Sequence, residues 1–316
     1  MKKVIVDCDA GYDDAIALIM LIAAHKRKQL EIKAVTCVNG NTKLDNVVKN
    51  VFRILKTCNA LDIPVYKGAR SALVVVESSK KAEEILYHGD DGFGDVFSDD
   101  VDISKLQSDH AVIGLHEIIT KNPNEISLVC LGPLTNIALA MKVYPEILDI
   151  IKDFYVMGGN STAVGNASAQ AEFNFYADCE SVHIVLGSNI KPLWLLPWES
   201  CTKSTITHEW RDNILGKESS EPVEMLNKIE GGIYSRRVKK STYRPCDAFL
   251  AACLINPELI TKQTDYHADI ELAGTKTRGQ VVLDHLQNNK PNVHLIEELD
   301  FQKYEELMYS SFTFSF

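Results

Sequence analysis

Nothing in the 316-residue sequence approaches the roughly 18 consecutive apolar residues that a membrane-spanning helix requires. A secretory leader is also missing by pattern, because the opening apolar run Val4-Ile5-Val6 is broken by Asp7. The eight cysteines, at 8, 37, 58, 130, 179, 201, 246 and 253, form no C-x-x-C pair. Several lie inside apolar runs, which predicts reduced, mostly buried thiols in a cytoplasmic protein rather than a disulfide framework. Positive charge is scarce: 33 Lys and Arg against 43 Asp and Glu leave a formal net charge of -10. This balance argues against a nucleic-acid binder, which needs a basic face to displace counterions. Internal repeats, low-complexity tracts and linkers are absent as well, so residues 1–316 are expected to form a single domain.

What is present is an alternation of short β-branched runs and amphipathic stretches. Strands are predicted at Lys3–Asp7, Glu31–Val38, Ile63–Lys67, Ile126–Leu131, Phe154–Met157 and Ile190–Leu195. Helices are predicted at Asp13–Lys28, Leu44–Thr57, Asp109–Lys121, Leu134–Val143, Cys179–Leu186, Pro222–Lys240, Phe249–Ile255 and Phe301–Met308. This spacing implies βαβ units: an α/β, Rossmann-like fold with a mostly parallel central sheet and helices on both faces. A C-terminal β-hairpin is expected from Asp269–Ala273 and Gln280–His285. Two long connections, 69–108 and 199–245, interrupt the alternation and read as lids over a site. The clusters Lys26-Arg27-Lys28, Arg236-Arg237 and Lys239-Lys240 read as solvated helix ends.

The sharpest local feature is Asp7-Cys8-Asp9-Ala10-Gly11-Tyr12-Asp13-Asp14, where a strand ends and a helix begins. One or two of these acids would serve as helix caps. Four repel one another and call for a cation. All the ligands on offer are oxygens, so a hard ion is favoured over zinc. The segment is no EF-hand, since Tyr12 and Leu18 stand where that loop needs Gly and Glu. It is no dinucleotide fingerprint either, lacking G-x-G-x-x-G. Ligands of doubly wound sheets bind at such strand ends.

This octad, extended to Ala15, resembles the D-x-D-x-G-x-D-D-A signature of the inosine–uridine-preferring nucleoside hydrolases. That signature usually carries Thr and Pro where this chain has Cys8 and Ala10, neither a ligand position. Further resemblances follow in family order: Gly40-Asn41; His88-Gly89-Asp90-Asp91-Gly92-Phe93-Gly94-Asp95; Leu131-Gly132-Pro133-Leu134-Thr135-Asn136; Met157-Gly158-Gly159; and Asn166 to Asn174, with Glu172-Phe173-Asn174 at its end. The markers span residues 5 to about 255.

The resemblance implies Ca²⁺-dependent hydrolysis of the N-glycosidic bond of ribonucleosides, releasing base and ribose for nucleoside salvage. By that resemblance Ca²⁺ is held by Asp9, Asp14, the Leu131 carbonyl and Asp247, and Asp9 deprotonates the attacking water. Asp13, Asn41, Asn166, Glu172, Asn174, Asp247 and the Met157 amide are expected around the ribose. Glu172 and Asn174 flank Phe173, and strand alternation would put both on one face. At the leaving-group position, where branches of the family carry His or Trp just before the late Asp, this chain has Cys246. A thiol is a weak donor with an ordinary pKa of about 8.5, so His88 is ranked first among the lid donors, ahead of Tyr234, Tyr243 and Arg244. A homodimer or homotetramer is implied too.

Two rivals are open at this stage. The D-x-D start is similar to that of haloacid-dehalogenase-type Mg²⁺ phosphatases, but these have Thr or Val where Gly11 stands, and they leave Asp13-Asp14 unexplained. A non-catalytic, metal-dependent nucleoside or sugar binder on the same fold is the other.

Overall fold

The computed structural model describes residues 1–75, 87–188 and 191–316. Its strands are β1 Lys2–Cys8, β2 Leu30–Cys37, β3 Val65–Lys67, β4 Leu106–His110, β5 Ile126–Cys130, β6 Asp153–Met157, β7 Leu193–Leu196, β8 Ile260–Tyr266, β9 Ala268–Ile270, β10 Val281–Leu283 and β11 Val293–Leu299. Its helices are α1 Tyr12–Lys26, α2 Leu44–Thr57, α3 Ala111–Lys121, α4 Thr135–Val143, α5 Ile147–Ile150, α6 Phe173–Ala177, α7 Cys179–Leu186, α8 Trp198–Thr202, α9 His208–Asn213, α10 Glu221–Tyr234, α11 Cys246–Ile255 and α12 Phe301–Phe312.

Among the described residues, nine strands form one sheet in the order β4-β3-β2-β1-β5-β6-β7-β11-β8. Every pairing is parallel except that of the edge strand β8 with β11. The chain winds outward from β1 through β2 and β3 to β4, then returns to the other side of β1 as β5. The gap between β1 and β5 is therefore the topological switch point, and its crevice opens at the carboxyl ends of the strands.

Strand alternation divides the core in two. Val4, Val6 and Cys8 face a layer that includes α1, α2, α10, α11 and α12. Ile5 faces the opposite layer, with α3, α4 and α7. Helix α1 is apolar nearly all round, from Ala15 to Ala24, because α2, α10, α11 and α12 enclose it. Each buried Ile or Leu there contributes on the order of 1.5–3 kcal/mol. Among the described residues no helix is long and apolar enough to cross a membrane.

The α/β alternation expected from the sequence stands, with local corrections. The helix predicted from Asp109 begins at Ala111, because 106–110 pairs with β3 as an edge strand inside what was read as lid and helix. Its exposed sequence, Leu-Gln-Ser-Asp-His, carries no apolar alternation to reveal it. The helix predicted to Lys240 stops at Tyr234, so the cations at 236–240 follow it rather than cap it. Strands β8 and β11 were not foreseen. The hairpin forms over the shorter β9 and β10. Residues 76–86 of the first lid and the start of the strand predicted from Ile190 lie outside the described residues.

Candidate active site

Strand β1 delivers Asp7 and Asp9 to the switch point, and the turn before α1 adds Asp13 and Asp14. The turn is tight enough to hold Ala10 at φ +42°, left-handed backbone that a non-glycine residue seldom adopts. Asp14 caps its own helix: its Oδ2 accepts the Gly11 N–H at 2.8 Å and its Oδ1 the Asp9 N–H at 3.3 Å. From the far end of the chain, α11 brings Asp247 to the same place. Carboxylate oxygens of Asp13, Asp14 and Asp247 lie within 4.8 Å of one another, a group able to hold a metal ion.

Asp9 is fully buried and tied to Asn41, which donates its backbone N–H (2.7 Å) and its side-chain amide (3.1 Å) to the two carboxylate oxygens. The same amide reaches Asp14 at 3.2 Å, so Asn41 bridges the two acids. Gly40 is obligatory here, because a Cβ on it would stand 2.0 Å from Asp9 Oδ2. Asp9 adjoins this three-acid group and is linked to its Asp14 through the Asn41 side chain.

These acids are displaced upward. Burial pushes Asp13 up to about 8, reinforced by Asp14. Burial lifts Asp14 to about 6 against hydrogen bonds from Gly11 and Asp247. Burial, then neighbouring acids, holds Asp9 and Asp247 well above the carboxylate range. No Lys or Arg is among the main influences on any of the four. Asp13 Oδ1 is buried with no hydrogen-bond partner among the described residues. An all-oxygen donor set, crowded and uncompensated, fits a hard divalent cation.

Asp7 does different work. Its Oδ1 accepts from Asn136 (2.8 Å) and from Thr36. Asn136 also donates to the Cys37 carbonyl at 3.0 Å and accepts the Ala69 N–H at 2.8 Å. The Asn of the Leu131–Asn136 segment is thus a brace joining β1, β2 and the start of the 69–108 connection. Its role was missed because its partners lie far away in sequence.

Three of the residues expected around the ribose, Asn166, Glu172 and Asn174, lie near the ends of β5 and β6. Asn174 donates to the Leu131 carbonyl at 2.7 Å and to the Met157 carbonyl at 3.2 Å. It is therefore the Met157 carbonyl that meets Asn174. Glu172 and Asn174 do not share a strand face, which corrects the alternation argument. Glu172 is the N-cap of α6, and its carboxylate accepts backbone N–H groups of Gly159 (2.8 Å), Asn174 (2.9 Å) and Phe175 (3.1 Å). Burial pushes Glu172 up to about 7 against those amides. Asn166 is exposed and accepts the Phe173 N–H at 2.8 Å.

In the 69–108 connection, His88 Nδ1 accepts the Tyr12 N–H at 3.0 Å, tying that connection to the start of α1. Burial, with Arg237 nearby, pushes its pKa down to about 3. His88 is a neutral imidazole with its proton on Nε2. Cys246 is buried, and its thiol donates to the Arg244 carbonyl at 3.6 Å. Hydrogen bonding with Cys201, then burial, holds that thiol well above its ordinary pKa. Tyr243 is removed from the donors: it is fully buried and its hydroxyl is committed to Glu230 at 2.6 Å. Arg244 Nε is turned to Thr242 at 2.8 Å.

A profile of the inosine-uridine preferring nucleoside hydrolases matches residues 4–306. The chain belongs to that family. An inosine-uridine preferring nucleoside hydrolase of Leishmania major is 32% identical over 310 residues, covering 96% of this chain and 95% of the relative. A pyrimidine-specific ribonucleoside hydrolase, RihA, of Enterobacter sp. (strain 638) is 30% identical over 311 residues, 96% of each chain. Among solved structures, an inosine-guanosine nucleoside hydrolase superposes with a TM-score of 0.90 at 26% identity over 99% of both chains. A purine-preferring ribonucleoside hydrolase from Gardnerella vaginalis gives 0.83 at 25% identity, over 99% of this chain and 98% of that one. As a nucleoside hydrolase the chain is an enzyme acting on N-glycosyl bonds, and both the phosphatase and the non-catalytic binder give way.

Proposed function

We propose that this nucleoside hydrolase cleaves ribonucleosides to free base and ribose for nucleoside salvage, with Ca²⁺ held by Asp14, Asp247, the Leu131 carbonyl, and Asp9 or its neighbour Asp13. The observation that carries the reading is the buried, uncompensated carboxylate cluster at the β1/β5 switch point. A bound Ca²⁺ would supply the positive charge that makes water acidic enough for a carboxylate to deprotonate. Asp9, oriented through both oxygens by Asn41, takes that proton. Asp13, with its orphan Oδ1, Asn174, Glu172 and Asn166 bind the ribose hydroxyls and shield the cationic sugar as the bond breaks. His88 offers an uncharged Nε2–H to the departing base, while Cys246 forms the wall beside it. The chain acts as one unit, with the described parts of segments 69–108 and 199–245 over the site. A cytoplasmic location is supported by eight free, buried cysteines. We further propose a homodimer or homotetramer. A panel of purine and pyrimidine ribonucleosides, read by release of free ribose, tests the reaction; no ribose from any of them would refute it.

Metal and pH are linked with a definite sign. The folded pKa values near 6 for Asp14 and 8 for Asp13 lie above the unfolded value of about 3.9. The folded chain therefore holds extra protons between about pH 4 and 8, and metal-free stability falls as pH rises through that window. Ca²⁺ binds the ionised carboxylates and reverses the loss. Metal-free protein is expected to melt several degrees lower at pH 8 than at pH 5, with Ca²⁺ flattening the profile. A melting curve indifferent to Ca²⁺ at pH 8 would count against the site.

Cys246→Ser and Cys246→Ala are both expected to keep kcat within roughly tenfold of wild type, under ~1.4 kcal/mol of transition-state stabilisation. The thiol proton is already engaged by a carbonyl, so little acid catalysis is lost. A collapse on natural nucleosides with p-nitrophenyl riboside spared would make Cys246 the proton donor after all.

A further inference from the structure

Beside the site lies a polar cluster that none of these roles uses. Arg211 on α9 is fully buried and pairs with Glu230 on α10 at 2.9 Å. Glu230 Oε1 accepts the Tyr243 hydroxyl at 2.6 Å. Asn227 accepts from Arg211 Nη2 at 2.9 Å, but Arg211 Nε and Nη1 are buried without an acceptor among the described residues. A buried ion pair with unsatisfied donors is a poor source of stability, and apolar residues of similar volume commonly serve as well or better. Its presence is better explained by geometry.

Tyr243 connects that cluster to the catalytic turn. Its backbone is clamped to the 204–207 segment: its N–H donates to the Ile206 carbonyl at 2.8 Å, and its carbonyl accepts from Ser204 at 2.8 Å. Its ring packs edge-on against His208, with centroids 5.3 Å apart, and lies 6.4 Å from Tyr12. The next carbonyl, Arg244, accepts both the Tyr12 hydroxyl at 3.2 Å and the Cys246 thiol at 3.6 Å. Tyr12 opens α1, directly before Asp13 and Asp14, and Asp247 follows Cys246. Arg244 is thus where the two halves of the acidic cluster are tied together.

We propose that Tyr243, held by the buried Arg211–Glu230 pair, is a positioning residue that sets the register of the Arg244–Asp247 turn against the Asp13-Asp14 start of α1. The hydrogen bond to Tyr243, not the charge of the pair, transmits the effect. This inference rests on the metal-dependent reading above. Calcium binding and hydrolysis by wild type test that reading, whereas ratios of variant to wild type test this one.

Three variants decide it. Tyr243→Phe removes one hydroxyl. Arg211→Met/Glu230→Leu replaces the pair by apolar volume. Arg211→Met/Glu230→Gln removes the charges but leaves an amide oxygen for Tyr243. Each is melted, titrated with Ca²⁺ by calorimetry after metal stripping, and assayed for kcat and KM. The first two are expected to melt cooperatively, bind Ca²⁺ about tenfold more weakly and lose about tenfold in kcat, with KM little changed, the scale of a sub-ångström misplacement. The Gln variant is expected to recover Ca²⁺ affinity and kcat to within about threefold of wild type. A merely structural role would shrink the active fraction without changing the Ca²⁺ affinity of the folded remainder. Wild-type affinity and kcat in Tyr243→Phe would overturn the proposal, as would a Gln variant as impaired as the Leu variant.

Discussion

Asp9→Asn is expected to lose more kcat than the roughly 10²–10⁴-fold typical of removing a general base alone. Two consequences add. The amide cannot take a proton, and it presents N–H groups to Asn41, whose own N–H donors now hold both Asp9 oxygens. The fold is expected to persist, because the Val4, Val6 and Cys8 side of β1 is untouched. Metal content, measured alongside turnover, separates loss of the base from loss of the ion. A variant that retains metal and turns over at the wild-type rate would move the base to another carboxylate, with Asp13 the first to replace.

A substrate change should act almost as strongly. Removing the 2′-hydroxyl from a good ribonucleoside is expected to lower kcat/KM by about 10⁴-fold, the discrimination reached when a site built for a hydroxyl is left with unpaired buried groups. Asp13 Oδ1 is such a group: buried, and without a hydrogen-bond partner among the described residues. Asn174 is less exclusive, since its amide already serves two carbonyls. Equal kcat/KM for the ribo- and deoxyribonucleoside would take Asp13 out of sugar recognition.

The part of the site written in short, contiguous segments was legible. The four acids from Asp7 to Asp14 sit at the end of a buried strand and on either side of Gly11, and such local patterns survive in a bare sequence. What failed was ambiguous locally. Glu172-Phe173-Asn174 fits a strand face as well as a helix cap, and only the N–H groups of Gly159, Asn174 and Phe175 decide for the cap. Strand β8, Ile-Thr-Lys-Gln-Thr-Asp-Tyr, is an exposed edge with little apolar alternation, so its pairing with β11 leaves no periodic trace. Nothing near Arg211, Glu230 or Tyr243 announces that they meet. Long-range polar networks of this kind are set by topology.

The distance along the chain between the two halves of the acidic cluster governs when this protein becomes an enzyme. Asp247 leaves the ribosome more than two hundred residues after Asp14. At about 5–20 residues per second, that interval is on the order of tens of seconds. Throughout it the N-terminal acids have no counterpart from α11, and α1 lacks the helices α10, α11 and α12 that enclose it. During that interval the apolar faces of α1 lie uncovered, and acquisition of the ion waits until α11 has emerged and packed against α1.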